Sequence, residues 1–405
     1  MNTSMPNPLS PAALKGLRVI EMGQLIAGPF CGKTLGEFGA EVIKIEPPGV
    51  GDPLRNWRMV RDGTSVWWQV QSRNKRSLAL DLRRPEGQDI ARRLIADADV
   101  LIENFRPGTL EKWGLDWETL SELNPGLVML RISGYGQTGP YRDLPGFGAI
   151  GEAMGGLRHL TGEPGRVPVR VGVSIGDTLA ALHGTIGVMM ALYHRKVNGG
   201  VGQVIDVALH EAVFNVMESL VPEYSAFGAV REAAGSALPG ISPSNAYPCA
   251  DGYVLIAGNG DSIFKRLMET IGRPDLGCAP DLAGNAGRTL RVAELDAAIG
   301  DWTQSRSVSQ VLALLGDVHV PAGRVYTVKD IFEDPHYRAR DMILSQTTRD
   351  GYSIEVPGIV PKLSATPGTI RSSAPHLGDD TDHVLQQMGL SAADITALRT
   401  KGIIV

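Results

Sequence analysis

A chain of 405 residues is longer than one hydrophobic core usually spans, so we expect two domains. The hydrophobic fraction of 43% and the charged fraction of 20% are those of a globular protein, and a net charge of −5 argues against a nucleic-acid partner. Three widely spaced cysteines exclude a disulfide framework and a cysteine-based zinc site.

The chain shows no secretory signal pattern near its start. The one apolar run long enough to cross a membrane, residues 178–196, carries two histidines and an arginine. We therefore expect a cytoplasmic protein without a membrane partner.

The first half of the chain predicts strands that alternate with helices. Strands are expected at residues 17–21, 41–46, 77–82, 100–103, 128–132 and 203–207, and helices at 30–38, 85–96, 111–123 and 208–220. This alternation predicts an α/β fold with a parallel, doubly wound sheet. The first turn, residues 23–29, lacks the G-x-G-x-x-G pattern, and no P-loop occurs, which disfavours NAD(P) and P-loop nucleotide binding.

The second half of the chain differs from the first in composition and in its predicted elements. Residues 222–245 are rich in Gly, Ala, Ser and Pro and indicate a linker or lid between a large domain, 1–221, and a smaller α+β domain, 246–330. The smaller domain is predicted to hold a hairpin around residues 250–252, helices near 261–272, 292–304 and 307–315, and a strand at 321–325. A return linker at 331–345 then leads to residues 346–405, with a strand at 352–356 and two final helices at 379–389 and 391–399.

Asp177 stands where two apolar patterns meet. Residues 167–174 alternate like a strand, and residues 178–196 are apolar on nearly every side, as in a buried helix. A carboxylate at a helix N-terminus is stabilised by free backbone N–H groups and by the helix dipole. Two roles stay open from spacing alone, a simple helix N-cap and a carboxylate nucleophile.

Several ordered motifs together resemble one family. They are LIAGPFCGKTLGEFGAEVIKIEPPGVGDPLRNW (25–57), SRNKRSLALDL (72–82), LIENFRPGTLEKWGLDW (101–117), ISGYGQTGPYRDLPGF (132–147), VGVSIGD (171–177), DGYVLIAG (251–258) and PHLGDDT (375–381). The chain resembles a family III CoA-transferase of the CaiB/BaiF type from about residue 14 to residue 389. The resemblance implies a Rossmann-like large domain built from both chain ends, a small domain between them, and an interlocked homodimer.

The resemblance also implies site residues. Asp177 corresponds to the family's nucleophile, which carries the acyl group as an anhydride and then CoA as a thioester, without metal or permanently bound cofactor. CoA thioesters are the implied substrates. The implied CoA-binding residues are Ile26, Ala27, Trp57, Leu80, Asp81, Leu82, Arg83, Asn104, Phe105, Arg106 and Lys112.

The motifs are most similar to the branch that moves CoA from succinyl-CoA to a small dicarboxylic acid. Arg170 and Arg73 are the candidate partners for the acid's distal carboxylate. Phe147 stands where the racemase branch has a histidine, and Phe147-Gly148 stands where the oxalate branch has Tyr-Glu. A 2-methylacyl-CoA racemase and a formyl-CoA:oxalate-type transferase are therefore the alternatives, both disfavoured by these substitutions.

Overall fold

The computed structural model describes residues 12–405, and within them the chain divides into two compact units. The larger unit contains residues up to 158, 170–227 and 336–405, so both ends of the chain contribute to it. The smaller unit contains residues 159–169 and 228–335. The domain bounds expected from the sequence, near 222 and 346, differ from these positions by several residues and stay a prediction.

The larger unit is built on a six-stranded parallel sheet. Its strands are β1 (Arg18–Glu21), β2 (Glu41–Glu46), β3 (Lys75–Ala79), β4 (Val100–Glu103), β5 (Val128–Ser133) and β6 (Gln203–Ala208). Their order across the sheet is β3-β2-β1-β4-β5-β6, so the winding direction reverses between β1 and β4. The predicted parallel α/β sheet is confirmed, because every strand that it requires lies within a few residues of its expected place.

Helices cover the sheet on both faces, as two separate apolar clusters show. Three of them reach the site described below: α1 (Ala27–Glu37), α2 (Gly148–Met154) and α3 (Ile175–Val197). The other helices of the unit are Val66–Gln71, Pro85–Ala96, Thr109–Lys112, Trp117–Leu123, Leu157–Leu160, Leu209–Phe214, Leu220–Phe227, Pro335–Ala339, Thr381–Gln387 and Ala392–Thr400, with a 3₁₀ turn at Pro53–Asn56. Two small hairpins, Val60–Arg61 with Thr64–Ser65 and Ile343–Thr347 with Ser353–Pro357, complete it.

Helix α3 packs closely on the sheet because glycines face the strands. A Cβ added at Gly184 would lie 2.8 Å from Leu130, and one at Gly187 would lie 2.9 Å from Ile205. Among residues 12–405, α3 is the one helix with the length and hydropathy of a membrane span. Its buried face contributes to the apolar cluster beneath it, so we assign it as a core helix.

The strand expected at residues 167–174 does not form. Residues 167–173 are irregular and mostly exposed, and no described strand pairs with them. Period-2 alternation predicts a strand only where a neighbouring edge supplies hydrogen bonds, and here none is adjacent. The helix predicted at 111–123 is also wrong as one element, because Gly114 has φ +62° and separates two short helices.

The smaller unit has its own core. A three-stranded antiparallel sheet joins Ser244–Cys249, Gly252–Ala257 and Ala322–Arg324, which confirms the predicted hairpin. Its helices are Asp261–Thr270, Pro274–Gly277, Asn285–Leu290, Val292–Thr303, Val308–Asp317 and Val328–Glu333, with a 3₁₀ turn at Pro280–Leu282. Residues 222–245, expected to lack periodicity, contain the end of one helix and the start of this sheet.

Candidate active site

A cavity of about 170 Å³ lies in the larger unit, beyond the carboxyl ends of β1, β4 and β5. Loops after β1 and β4 both line it, and the winding direction of the sheet reverses between these two strands. Open α/β sheets bind ligands at such a reversal because the loops diverge there and leave a crevice. Seven residues implied by the family resemblance line this cavity: Ile26, Ala27, Asn104, Phe105, Arg106, Phe147 and Asp177.

The turn after β1 is held rigidly although it contains no G-x-G-x-x-G pattern. The side-chain amide of Asn104 accepts a hydrogen bond from the Gln24 backbone N–H at 2.7 Å and donates one to the Gln24 carbonyl at 2.9 Å. Asp52 accepts a hydrogen bond from the backbone N–H of Leu25, which has φ +63°. Asn104 therefore braces the cavity wall, a role that its place in the NFRPG motif did not reveal.

Gly23 and Gly28 allow this turn to close on itself. A Cβ added at Gly23 would lie 3.1 Å from the Cα of Gly28, and one at Gly28 would lie 3.2 Å from the Cα of Gly23. Such contacts with backbone atoms are tighter than ordinary van der Waals packing. The two glycines thus bring the start of α1, with Ile26 and Ala27, to the edge of the cavity.

Asp177 lies in the first turn of α3 and is not its N-cap. Ser174 occupies the N-cap position, so the N-cap role left open by the sequence is wrong. A Cβ added at Gly148 would lie 2.1 Å from Oδ2 of Asp177, which means that the carboxylate rests directly over the Gly148 backbone. Glycine at position 148 is what leaves room for the carboxylate.

The environment of Asp177 opposes its negative charge. Burial and, after it, the carboxylate of Glu152 raise the pKa of Asp177 to about 6, with the Arg170 guanidinium opposing that rise. Near neutral pH the group is still mostly ionised, but its carboxylate is held at a higher free energy than one in water. A carboxylate of raised proton affinity in a cavity is typical of a catalytic group.

Glu152 is a site residue that the sequence analysis missed. It lies on α2, is fully buried, and packs against Gly176, where an added Cβ would be 3.2 Å from its Cγ. Arg142, from the loop that precedes α2, lines the cavity as well. The available signal was a lone carboxylate in a segment of small apolar residues, GAIGEAMGG, where a solvent-facing helix would carry several polar residues.

The other predicted CoA-binding residues lie outside this cavity. The side chains of Leu80 and Leu82 are buried in the apolar core, and their contact with the nucleotide stays a prediction. Asp81 and Arg83 form a bidentate ion pair with each other at the surface. Trp57 is 40% exposed and Lys112 ends a short helix at the surface, so both stay predictions.

Arg73 does not suit an acceptor carboxylate. Its guanidinium is 1% exposed, pairs with Glu37 at 2.6 Å and donates to the carbonyl of Pro357. A buried arginine with its donors engaged stabilises the fold and is closed to substrate. Arg170, the other candidate, is 45% exposed and lies near Glu152.

Within residues 12–405, no group of three or more His, Cys, Asp or Glu side chains lies close enough to hold a metal ion. The charged side chains that line the cavity are Asp177, Arg106 and Arg142.

The contact between Gly148 and Asp177 yields the first prediction. We expect Gly148→Ala to displace the carboxylate while the fold persists, because the group that must move is the end of a flexible side chain. A displacement of about 1 Å at a reacting group lowers turnover by roughly a hundredfold. Turnover and melting temperature should be compared with Gly172→Ala, where an added Cβ meets nothing within 4 Å. Full activity in Gly148→Ala would contradict the assigned contact.

The raised pKa of Asp177 yields the second prediction. Its folded-state value, about 6, exceeds the ordinary 3.8, so the native state holds a proton that the unfolded chain releases between these values. Stability therefore falls as pH rises through this window and stays reduced above it. At pH 7.5, the unfolding free energy of Asp177→Asn should exceed that of the parent by on the order of 1–3 kcal/mol, so the variant should melt at a higher temperature. Below about pH 4 the two proteins should not differ. Exposed Asp143→Asn is the control; equal melting temperatures at pH 7.5 would refute the prediction.

Comparison with known proteins agrees with this geometry. The family model for CoA-transferase family III matches residues 14–381. The succinyl-CoA–D-citramalate CoA-transferase of Chloroflexus aurantiacus is 47% identical over 99% of this chain and 100% of its own length. The succinyl-CoA–L-malate CoA-transferase beta subunit of the same organism is 43% identical over 96% of this chain and 98% of its length.

A solved CaiB/BaiF family protein from Brucella suis has the same fold. It superposes with a TM-score of 0.83 at 35% identity and covers 93% of this chain and 100% of its own. The parallel sheet, the aspartate over a glycine at its carboxyl edge and these full-length similarities lead to one conclusion: the chain belongs to the family III CoA-transferases, enzymes that transfer coenzyme A between acids.

Proposed function

We propose that this enzyme transfers CoA from succinyl-CoA to a small dicarboxylic acid of four or five carbons, with Asp177 as the covalent nucleophile. The main observation in support is the partly buried Asp177 carboxylate, which contacts Gly148 in a cavity where the winding direction of the sheet reverses. The names of relatives support the substrate class, since they specify citramalate, malate and glutarate as partners of succinyl-CoA or succinate.

The proposed reaction has four balanced steps. An oxygen of Asp177 attacks the thioester carbonyl of succinyl-CoA, forming a mixed anhydride and releasing CoA thiolate. The thiolate attacks the aspartyl carbonyl, which forms an aspartyl-CoA thioester and releases succinate. The acceptor carboxylate then attacks that thioester, giving a second anhydride and thiolate, and the thiolate attacks the acceptor's acyl carbon and frees Asp177. No proton has to move, because each nucleophile and each leaving group is an anion.

The cost of ionising Asp177 favours this chemistry. Burial and the nearby Glu152 raise the free energy of the free carboxylate, and both anhydride and thioester remove its charge. The covalent intermediates are thereby stabilised relative to the resting enzyme. The carboxylate stays mostly ionised near neutral pH, so it remains nucleophilic.

We assign the CoA arm to the turn after β1 and the loop after β4. Ile26 and Ala27 give an apolar wall, and Arg106 gives a cation beside it at the cavity edge. Arginine suits phosphate because its donors form a planar fork. Trp57, Lys112 and Arg83 are proposed to reach the nucleotide from outside the cavity.

We assign Arg170 to the distal carboxylate of the acceptor. It is exposed enough to meet a ligand and acts electrostatically on Asp177, whereas Arg73 is closed inside the fold. Phe147 is 67% exposed and carries no group that transfers a proton, which disfavours racemisation.

We also propose a cytoplasmic homodimer. One face of α3 carries Ile186, Met190 and Tyr193 at helical spacing, with exposed fractions of 53%, 67% and 68%. Contiguous apolar residues of this size are usually covered by a partner in solution. A second copy of the chain is the partner that every cell making this protein contains.

The transfer proposal predicts a specific product. Purified enzyme with succinyl-CoA and citramalate, malate or glutarate should yield the corresponding acyl-CoA, detected by mass spectrometry, and oxalate should be a poor acceptor. Asp177→Ala should bind CoA esters but lose transfer by several orders of magnitude, because the covalent nucleophile is gone. Retention of more than a few per cent of activity would end the nucleophile assignment. Exchange of the α-proton of a 2-methylacyl-CoA in deuterated water would instead indicate a racemase.

The dimer proposal predicts a change of mass. Met190→Glu places a charge in the apolar face of α3 and should reduce the mass measured by light scattering to that of one chain. Ala393→Glu, on an exposed helix near the carboxyl end, should leave the dimer intact. A monomeric parent protein would refute the proposal.

A further inference from the structure

Glu152 lies near two arginines but forms a hydrogen bond with neither. Its Oε2 is 3.7 Å from Nε of Arg170 and 3.9 Å from Nε of Arg158. A hydrogen-bonded arginine–carboxylate pair is about 1 Å shorter. Among residues 12–405, neither carboxylate oxygen of Glu152 accepts a hydrogen bond, and the buried Nε of Arg158 donates none. A fully buried carboxylate that lacks hydrogen bonds calls for a physical reason.

The two arginines are accessible where Glu152 is not. The side chains of Arg158 and Arg170 are 31% and 45% exposed, whereas that of Glu152 is 1% exposed. One terminal nitrogen of Arg170 donates a long hydrogen bond of 3.3 Å to Ser174, at the start of α3. A ligand carboxylate can therefore reach the guanidinium groups from outside, on the side away from Glu152.

The charge beside Arg170 changes when Asp177 reacts. Glu152 and Arg170 both act electrostatically on Asp177, and Glu152 lies near Arg170 and Arg158. When Asp177 becomes an anhydride or a thioester, its negative charge is lost and the net charge of this group becomes more positive by one. A ligand with one further carboxylate replaces the lost charge.

We infer that Glu152 is an internal counter-anion that keeps free dicarboxylic acids from Arg158 and Arg170 until Asp177 is acylated. This inference rests on the proposed transferase function and assigns its acceptor selectivity to a residue outside the cavity wall. In the resting enzyme, Glu152 satisfies part of the arginine charge, so a free dicarboxylate gains little by binding. In the acylated enzyme the excess positive charge attracts the distal carboxylate of the acceptor. Glu152 is a positioning residue, because it acts through the arginines.

Direct binding tests this inference without turnover. Glutarate should bind weakly to the parent enzyme in isothermal titration calorimetry. Asp177→Asn, which imitates the uncharged acylated state, and Glu152→Gln, which removes the counter-anion, should each bind glutarate at least about tenfold more tightly. Valerate, which has the same chain length and no distal carboxylate, should show no such gain.

Arg170 supplies the matched controls. Arg170→Ala added to Asp177→Asn should return glutarate affinity to about the parent value, while Arg166→Ala, which removes an exposed charge four residues away, should not. In steady-state assays, Glu152→Gln should acquire competitive inhibition by glutarate against succinyl-CoA, and this inhibition should be absent with valerate. A purely structural role for Glu152 would lower activity without creating that inhibition.

Equal glutarate affinity in the parent and in Asp177→Asn would overturn the inference, as would an equal gain for valerate. If Glu152→Gln does not fold, equal glutarate affinity in the parent and in Asp177→Asn still overturns the inference. Absence of CoA transfer by the parent enzyme would refute the proposed function instead, which the binding measurements do not require.

Discussion

The site depends on a buried ion cluster beneath the turn after β1. Nζ of Lys44 lies 2.9 Å from both Glu21 and Asp52 and donates to the carbonyl of Gly23, and Lys75 pairs with Glu21 at 2.8 Å. Burial alone lowers the pKa of Lys44, but the carboxylates of Asp52 and Glu21 raise it above its usual range. Breaking such a cluster leaves an uncompensated buried charge and costs about 3–5 kcal/mol. Asp52 also accepts a hydrogen bond from the backbone N–H of Leu25, just before the start of α1. The cluster therefore fixes this part of the cavity wall.

Two groups of charged residues in the larger unit have different roles. The cluster around Lys44 is held by short contacts, so it gives rigidity to the first turn. The group around Asp177 has long contacts instead: Glu152 is buried without a hydrogen bond among the described residues, and the side chains of Arg158 and Arg170 are partly exposed. Stability and reactivity are thus separated in space, and the free energy lost at Asp177 is offset by packing elsewhere.

The local sequence pattern was sufficient to predict strands that pair with neighbouring strands. It was insufficient to predict site contacts between segments that are distant in the sequence. Glu41–Glu46 alternates and Val100–Glu103 begins with three apolar residues, and both strands form with the expected bounds. The family motifs located Asp177 and the turn near Ile26. The contact between Asp177 and Gly148 joins residues 29 positions apart, and no local sequence pattern indicates it. Arg73 and Arg170 look alike in sequence, and only burial distinguishes the ion pair from the exposed guanidinium.

Glu152 and Arg170, the residues proposed to select the acceptor, lie on different segments from the cavity wall. The carboxyl edge of β1, β4 and β5 provides the cavity that Asp177 lines, whereas Arg170 precedes α3 in an irregular segment and Glu152 comes from the short helix α2. Irregular segments accept substitution without loss of the sheet, since few core contacts depend on them. In the proposed function, acceptor charge is therefore selected by residues beside Asp177, while the contact between Asp177 and Gly148 stays unchanged.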